Sequence, residues 1–243
     1  MNDTLSLLNR HRSIRHYTDD PLLEGDVRAA VAAGQRASTS SAIEAYCCIR
    51  IRSAETRQRL VTLTGGQTKV ADAAGFFVIC GDTRRHRLAA ERAGRPYDSR
   101  LEAFLLAVID ATLFAQNMAL AFESLGYGFC YVGGLRNRLP EASEALDLPR
   151  GVYPLFGICV GRPAETPIER PRFALDDVLH EERYPDDAQV LRTLDAHDEA
   201  AAIYYDKRGN EMPRWTERMI EKFETPIRTH LSSYYRGQGA DLT

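Results

Sequence analysis

The sequence predicts an α+β domain. Three observations predict it: strand-like apolar runs alternate with helical patterns, one twenty-residue stretch is apolar nearly all round, and basic clusters stand at 11–15 and 170–172. These clusters are local in a chain of 243 residues with formal net charge −3. That balance argues against a general nucleic-acid binder and for a compact anionic, planar ligand. An apolar fraction of 44% and a charged fraction of 27% fit a soluble chain able to bury a substantial core.

Leu5–Arg10 reads as a short helix ending at His11-Arg12-Ser13-Ile14-Arg15-His16-Tyr17. Arginine forks and a serine hydroxyl suit phosphate oxygens, although a solvated basic turn has the same composition. Residues 21–37 have helical spacing after Pro21, and Ser38-Thr39-Ser40-Ser41 is either a capping loop or a set of ligand donors. Ala45–Arg52 alternates as a strand, Ser53–Thr62 reads as a helix, and Thr64-Gly65-Gly66-Gln67 as a turn. Gly75–Asp82 is a continuous apolar run, the pattern of a strand buried on both faces.

Residues 83–99 hold five arginines and read as an exposed, mobile excursion, or else as a lid. A long helix is expected from about Asp98 to Leu125, closed by Gly126. Within it, Ala103–Phe122 is long enough to span a bilayer, but Asp110, Gln116 and Asn117 interrupt it and no aromatic or basic anchors flank it. It is read as a central helix buried in a core or a subunit interface. Tyr127–Arg136 alternates and ends in Gly133-Gly134, where a flat ligand could approach backbone N–H groups or the chain simply turns. Tyr153–Val160 is a further strand, and Pro171 holds Arg170 and Arg172 extended. Two helices follow, Ala188–Lys207 and Pro213–Tyr235, with a charged turn at 208–215 between them.

Five cysteines, an odd number without a C-x-x-C pair, lie mostly in apolar runs and read as small buried hydrophobes in a reducing compartment. No signal-peptide pattern, metal-ligand cluster, catalytic triad or Gly-x-Gly-x-x-Gly fingerprint is found.

Several stretches, in order along nearly the whole chain, resemble the nitroreductase-like flavoprotein family, and within it the oxygen-insensitive NADPH nitroreductase and flavin reductase branch. They are His11–Thr18, Ser38–Ser41, Leu63–Gln67, Tyr131–Asn137, Pro154–Gly157 and Arg170–Arg172. The resemblance implies a mostly antiparallel central sheet flanked by helices, with an FMN-binding core over 1–185 and a C-terminal helical extension over 186–243. It implies FMN at a homodimer interface, its phosphate on Arg12, Ser13 and Arg15 with His11 adjacent, and Arg170 and Arg172 closing from the second cluster. Ser40 and Gln67 would bond the ribityl chain or ring edge, and Tyr131, Val132, Gly133 and Gly134 would face the ring. Arg208 and Arg214 would hold the 2′-phosphate of NADPH. The implied reaction is ping-pong hydride transfer through FMN to nitroaromatics, quinones or similar acceptors, in the cytoplasm, without membrane, nucleic acid or metal. Related alternatives are a reductase supplying free reduced FMN to a monooxygenase, and a non-catalytic flavin-binding relative. Ser41, Ala42 and Ile43 would line the substrate pocket. There the chain departs from the family, whose relatives tend to carry Phe-Leu-Gln where this one has Ala42-Ile43-Glu44, which leaves substrate preference open.

Overall fold

The computed structural model describes residues 2–209 and 212–243. It divides into two compact units, the chain up to Pro167 together with Arg228–Thr243, and Ile168–Ile227. In the first unit a four-stranded antiparallel sheet runs in the order β1 (Tyr46–Ile51), β2 (Gly75–Asp82), β4 (Val152–Gly161), β3 (Gly128–Val132). Every residue of β2 is buried, as its unbroken apolar run requires. Side chains alternate between two cores. Phe77 and Ile79 face α2 (Glu24–Gly34) and α6 (Leu101–Ser124), whereas Phe76, Val78 and Cys80 face α3 (Ala54–Leu63), α4 (Lys69–Asp72) and α7 (Leu139–Ala145).

The local signals act as expected at most boundaries. Asn2 caps α1 (Asp3–Asn9), and Ser53 caps α3 through its side chain. Gly126, at φ +83°, takes the left-handed position after α6. A bulge interrupts the β2–β4 register at Ile79/Cys80, where Pro154 and Leu155 sit. Proline cannot donate to the ladder, and the carbonyls there find side-chain donors instead: Tyr235 Oη to Pro154 O (2.9 Å) and Arg136 Nη1 to Leu155 O (2.7 Å).

One expectation gains detail and two change. Within the exposed excursion expected at 83–99, Arg84–Arg92 forms a surface helix, α5, with no buried residue. It walls an open cavity of about 300 Å³ with Arg95, Tyr97 and Arg150. The expected helix Pro213–Tyr235 is two helices, α9 (Trp215–Glu224) and α10 (Leu231–Gly237). Pro226 forces Thr225 into extended backbone (φ −109°, ψ 127°) and ends α9 there. Finally, α6 is not buried all round. Leu101, Leu105, Ile109 and Leu113 form a stripe at four-residue spacing that is 39–50% exposed. In the second unit α8 (Asp187–Lys207) is capped by Asp186 and pairs with α9. Asn210 and Glu211 of the expected 208–215 turn lie outside the described residues.

Candidate functional site

The basic stretch is fastened along the open edge of β3. Ser13 forms a parallel bridge with Phe129, and Ile14 N donates to Phe129 O at 2.9 Å. Ile14 is the buried anchor. It lies against Gly128, where an added Cβ would meet Ile14 Cγ1 at 2.4 Å, so glycine is required for this approach. Tyr17 bridges Pro163, and its hydroxyl donates to Ile14 O at 2.6 Å. The Glu165 carboxylate accepts from Arg15 N (2.5 Å) and His16 N (3.0 Å). One apolar residue thus holds the segment while Arg12 and Ser13 stay half-buried and Arg15 exposed.

Arg12 Nη1 donates to His11 O at 2.7 Å and Arg15 Nη1 to Ser13 O at 3.3 Å, which folds both guanidiniums back over one short loop. His11 is turned elsewhere. Its Nδ1 lies 2.5 Å from Glu123 Oε1 on α6, and its ring packs 4.9 Å from that of Phe129. Its role in this geometry is to fix the loop to α6.

At the end of β3, Gly133–Asn137 forms a 3-10 turn. An added Cβ on Gly134 would meet Gln67 Nε2 at 2.2 Å and Thr64 O at 2.5 Å. Sequence-distant Gly134 and Gln67 are therefore neighbours, and Gln67 is oriented by donating Nε2 to Thr64 O at 2.7 Å. Val132 is fully buried in the second core, which leaves only its backbone for a ligand. Tyr131 is half-buried with its hydroxyl on Gln116 Oε1 (3.1 Å), and burial pushes its phenol well up. Beside this turn Arg228 Nε donates to Asn137 Oδ1 (2.9 Å). Burial, and then the nearby charge of Arg136, hold the Arg228 guanidinium below its ordinary value. Arg136 belongs to the Tyr131–Asn137 stretch, but Arg228 belongs to no sequence motif, and only the fold brings its charge near that of Arg136.

The serine stretch has a different anchor, Asp110 in α6, which is 1% exposed. Its carboxylate accepts from the Thr39 hydroxyl, from Ser40 N (3.2 Å) and from Ala45 N (3.1 Å). The loop it gathers is a 3-10 turn, Ser40–Ala42, with left-handed Ser41 (φ 48°), Ala42 (φ 55°) and Glu44 (φ 48°). Non-glycine residues at such angles are strained and persist where their surroundings over-determine them, commonly at ligand sites. Ser40, Ser41 and Ala42 are exposed and Ile43 half-buried, with His86 Nε2 on Ile43 O at 2.7 Å. The lone charge in an apolar helix was the signal for this anchor. The basic loop is tied to α6 at Glu123 and the serine loop at Asp110, so roughly 20 Å of helix separates the two anchors at 1.5 Å rise per residue. Within one chain the serine loop and the basic loop are therefore held at well-separated points of α6.

In the second unit Arg170 Nη2 donates to Tyr205 Oη (3.1 Å), a hydroxyl that Arg218 also engages. Arg172, exposed, donates to the carbonyls of Arg170 and Pro171. Phe173 stacks on His197 at 4.1 Å, with Trp215 edge-on to both. Arg208 reaches Tyr204 Oη (3.2 Å). Arg214 opens α9 beside Asp198, which accepts from Thr216 N (2.9 Å) and Thr216 Oγ1 (2.5 Å).

A cationic loop fastened at the start of an edge strand, and a glycine turn closed by an oriented amide at that strand's end, are what a protein holding an anionic group and a flat ring would present. Comparison with known proteins is specific. The nitroreductase family model matches residues 8–162, and the nitroreductase family C-terminal domain model matches 170–243. An oxygen-insensitive NADPH nitroreductase of Salmonella typhimurium is 39% identical, with 98% of each chain covered. An FMN reductase (NADPH) of Bacillus subtilis is 37% identical, again over 98% of each. The structure of NfrA1 from B. megaterium superposes with a TM-score of 0.96 at 41% identity, covering 99% of this chain and 100% of that one. This chain belongs to the nitroreductase family.

Proposed function

We propose that this protein is an FMN-dependent oxidoreductase that takes electrons from NADPH and reduces nitroaromatics, quinones, free flavin or similar small acceptors. The observation that carries it is the fastening of Arg12, Ser13 and Arg15 along β3, with Gly134 and Gln67 packed together at the end of that strand. The donor set fits FMN. Two guanidiniums and a hydroxyl suit a phosphate dianion, and backbone at Gly133 and Gly134, with the Gln67 amide, suits the edge of a polar ring. Bound FMN supplies the two-electron hydride chemistry, so the protein needs no side-chain nucleophile. Arg12 and Arg15 bind, Gln67 and the glycine turn orient, and Tyr131, Phe129 and Phe156, packed edge to face, stiffen the strand beneath. Arg170 and Arg172 are assigned to the phosphate by the family resemblance, as further guanidiniums suited to a dianion. Arg208 and Arg214 favour NADPH over NADH, and Arg136 with Arg228 adds attraction for anionic donors or acceptors.

The reading includes a homodimer in which the Ser40–Ile43 loop of one copy completes the site of the other. Two features support it: the wide separation of the Asp110 and Glu123 anchors, and the exposed leucine-isoleucine stripe on α6. The same Asp110 network argues for an interface helix rather than a bilayer span. Free thiols accord with the cytoplasm. Functionally, residues 1–185 form the FMN core and 186–243 the nucleotide-selecting extension. The test is the visible spectrum of purified protein under anaerobic NADPH: a bound flavin band that bleaches supports the assignment, and a colourless protein that takes up no FMN removes it.

A further inference from the structure

The antiparallel register sets Cys47 of β1 directly opposite Cys80 of β2. Cα atoms of directly opposed residues lie about 4.5–5.5 Å apart, within the roughly 4.4–6.8 Å that a disulfide spans. Both side chains point to the α3/α7 face, so the two thiols face each other across the strand pair. Cys80 is completely buried, whereas Cys47 is half-buried and reachable. The neighbouring Cys80 thiol outweighs burial and holds the Cys47 thiol below its ordinary value. Asp82 opposes this and Arg85 assists it. An accessible sulfur whose thiol is held below its ordinary value, backed by a second thiol in bonding range, is the arrangement of an attacking and a resolving cysteine.

The chain contains its own comparison. Cys130 and Cys159 are opposed in the same way across β3 and β4, but both are buried, Cys130 donates to Tyr131 O, and burial pushes Cys159 well up. Cys48, on the opposite face, is pushed up to about 12 by burial.

We propose that Cys47 and Cys80 are a peroxide-oxidisable pair that closes to a cross-strand disulfide between β1 and β2. The Cys47 thiolate attacks a hydroperoxide oxygen. An S–O bond forms, the O–O bond breaks, and water or an alcohol leaves after taking up a proton. Cys80 sulfur then attacks the sulfenic sulfur. The S–S bond forms, the S–O bond breaks, and the Cys80 proton leaves with hydroxide as a second water. Two thiols are oxidised by two electrons and one peroxide is reduced.

The experiment treats the FMN-loaded full chain with hydrogen peroxide, without NADPH so that the flavin makes no peroxide of its own, and reads intact mass and tryptic peptides. It therefore stands or falls independently of turnover. The Cys48→Ser background leaves a single thiol in the peptide ending at Arg50. The expected result is loss of two hydrogens, a cross-link between the Cys47 and Cys80 peptides, and reversal by dithiothreitol. Cys130 and Cys159 stay fully alkylatable after unfolding. In Cys80→Ser, dimedone traps sulfenate on Cys47, and the flavin band reports that the variant is folded. A Cys130–Cys159 link instead, sulfinic acid on Cys47 with Cys80 still free, or no reaction at either residue overturns the proposal.

Discussion

Replacing Asp110 with asparagine tests how the serine loop is held. Asparagine keeps the volume but offers one oxygen, where the carboxylate accepts the Thr39 hydroxyl, Ser40 N–H and Ala45 N–H. Its best orientation keeps the oxygen toward Thr39 and Ala45 and turns the amide N–H₂ toward the Ser40 N–H. One bond to a buried charge is then lost outright and two become neutral. A hydrogen bond to a charged group is worth about 1.5–3 kcal/mol and a neutral one about 1 kcal/mol, so the expected loss is about 2.5–7 kcal/mol. Equilibrium urea unfolding of the FMN-free protein measures it, with an unchanged slope showing that the two states still expose the same surface. Thr39→Val removes the same hydroxyl, so the double variant should be less destabilised than the sum, with coupling of about 1 kcal/mol. Loss under about 0.5 kcal/mol, the range of surface substitutions, or strict additivity, would refute the anchor.

Arg12→Ala and Arg15→Ala should each weaken FMN by about 1.5–3 kcal/mol, roughly 10- to 100-fold in Kd, measured by quenching of flavin fluorescence; unchanged Kd values would move the phosphate elsewhere. The paired change Arg208→Ala with Arg214→Ala should raise KM for NADPH while leaving NADH nearly untouched, and equal losses would deny them the 2′-phosphate. Gly134→Ala drives a methyl into Thr64 O and Gln67 Nε2, so melting should show a cost of about 1–3 kcal/mol, and FMN should bind more weakly; a neutral result would show the turn to be soft. Burial pushes Asp198 up, but the Thr216 bonds and the charge of Arg214 outweigh it and leave the carboxyl below its ordinary value. A depressed folded value makes its stabilisation present above about pH 4 and lost as pH falls further. Asp198→Asn should flatten that acid limb in pH-dependent melting, and an unaltered limb would dismiss the pairing.

The sequence by itself determined the strands, most helices and the basic loop, because those depend on local rules. The unbroken apolar run at 75–82 can only be a doubly covered strand, Gly126 ends α6 where a left-handed residue is needed, and Ser53 caps the helix after it. The break at Pro226 is equally local, because a proline drives the residue before it out of the helical region. Tertiary structure decided whatever depends on register and packing. Asp110, an interruption when read along the chain, is the anchor of a loop some 65–71 positions earlier. Gly134 is explained by Gln67, not by a ligand alone, and the charge of Arg136 acts on Arg228 from the far end of the sequence. Four cysteines that read as isolated small hydrophobes are two opposed pairs, since only strand register says which residues face each other. Composition fixes what a segment can bury, but which two segments share an edge is a property of the closed fold, and there the chemistry of this chain is assembled.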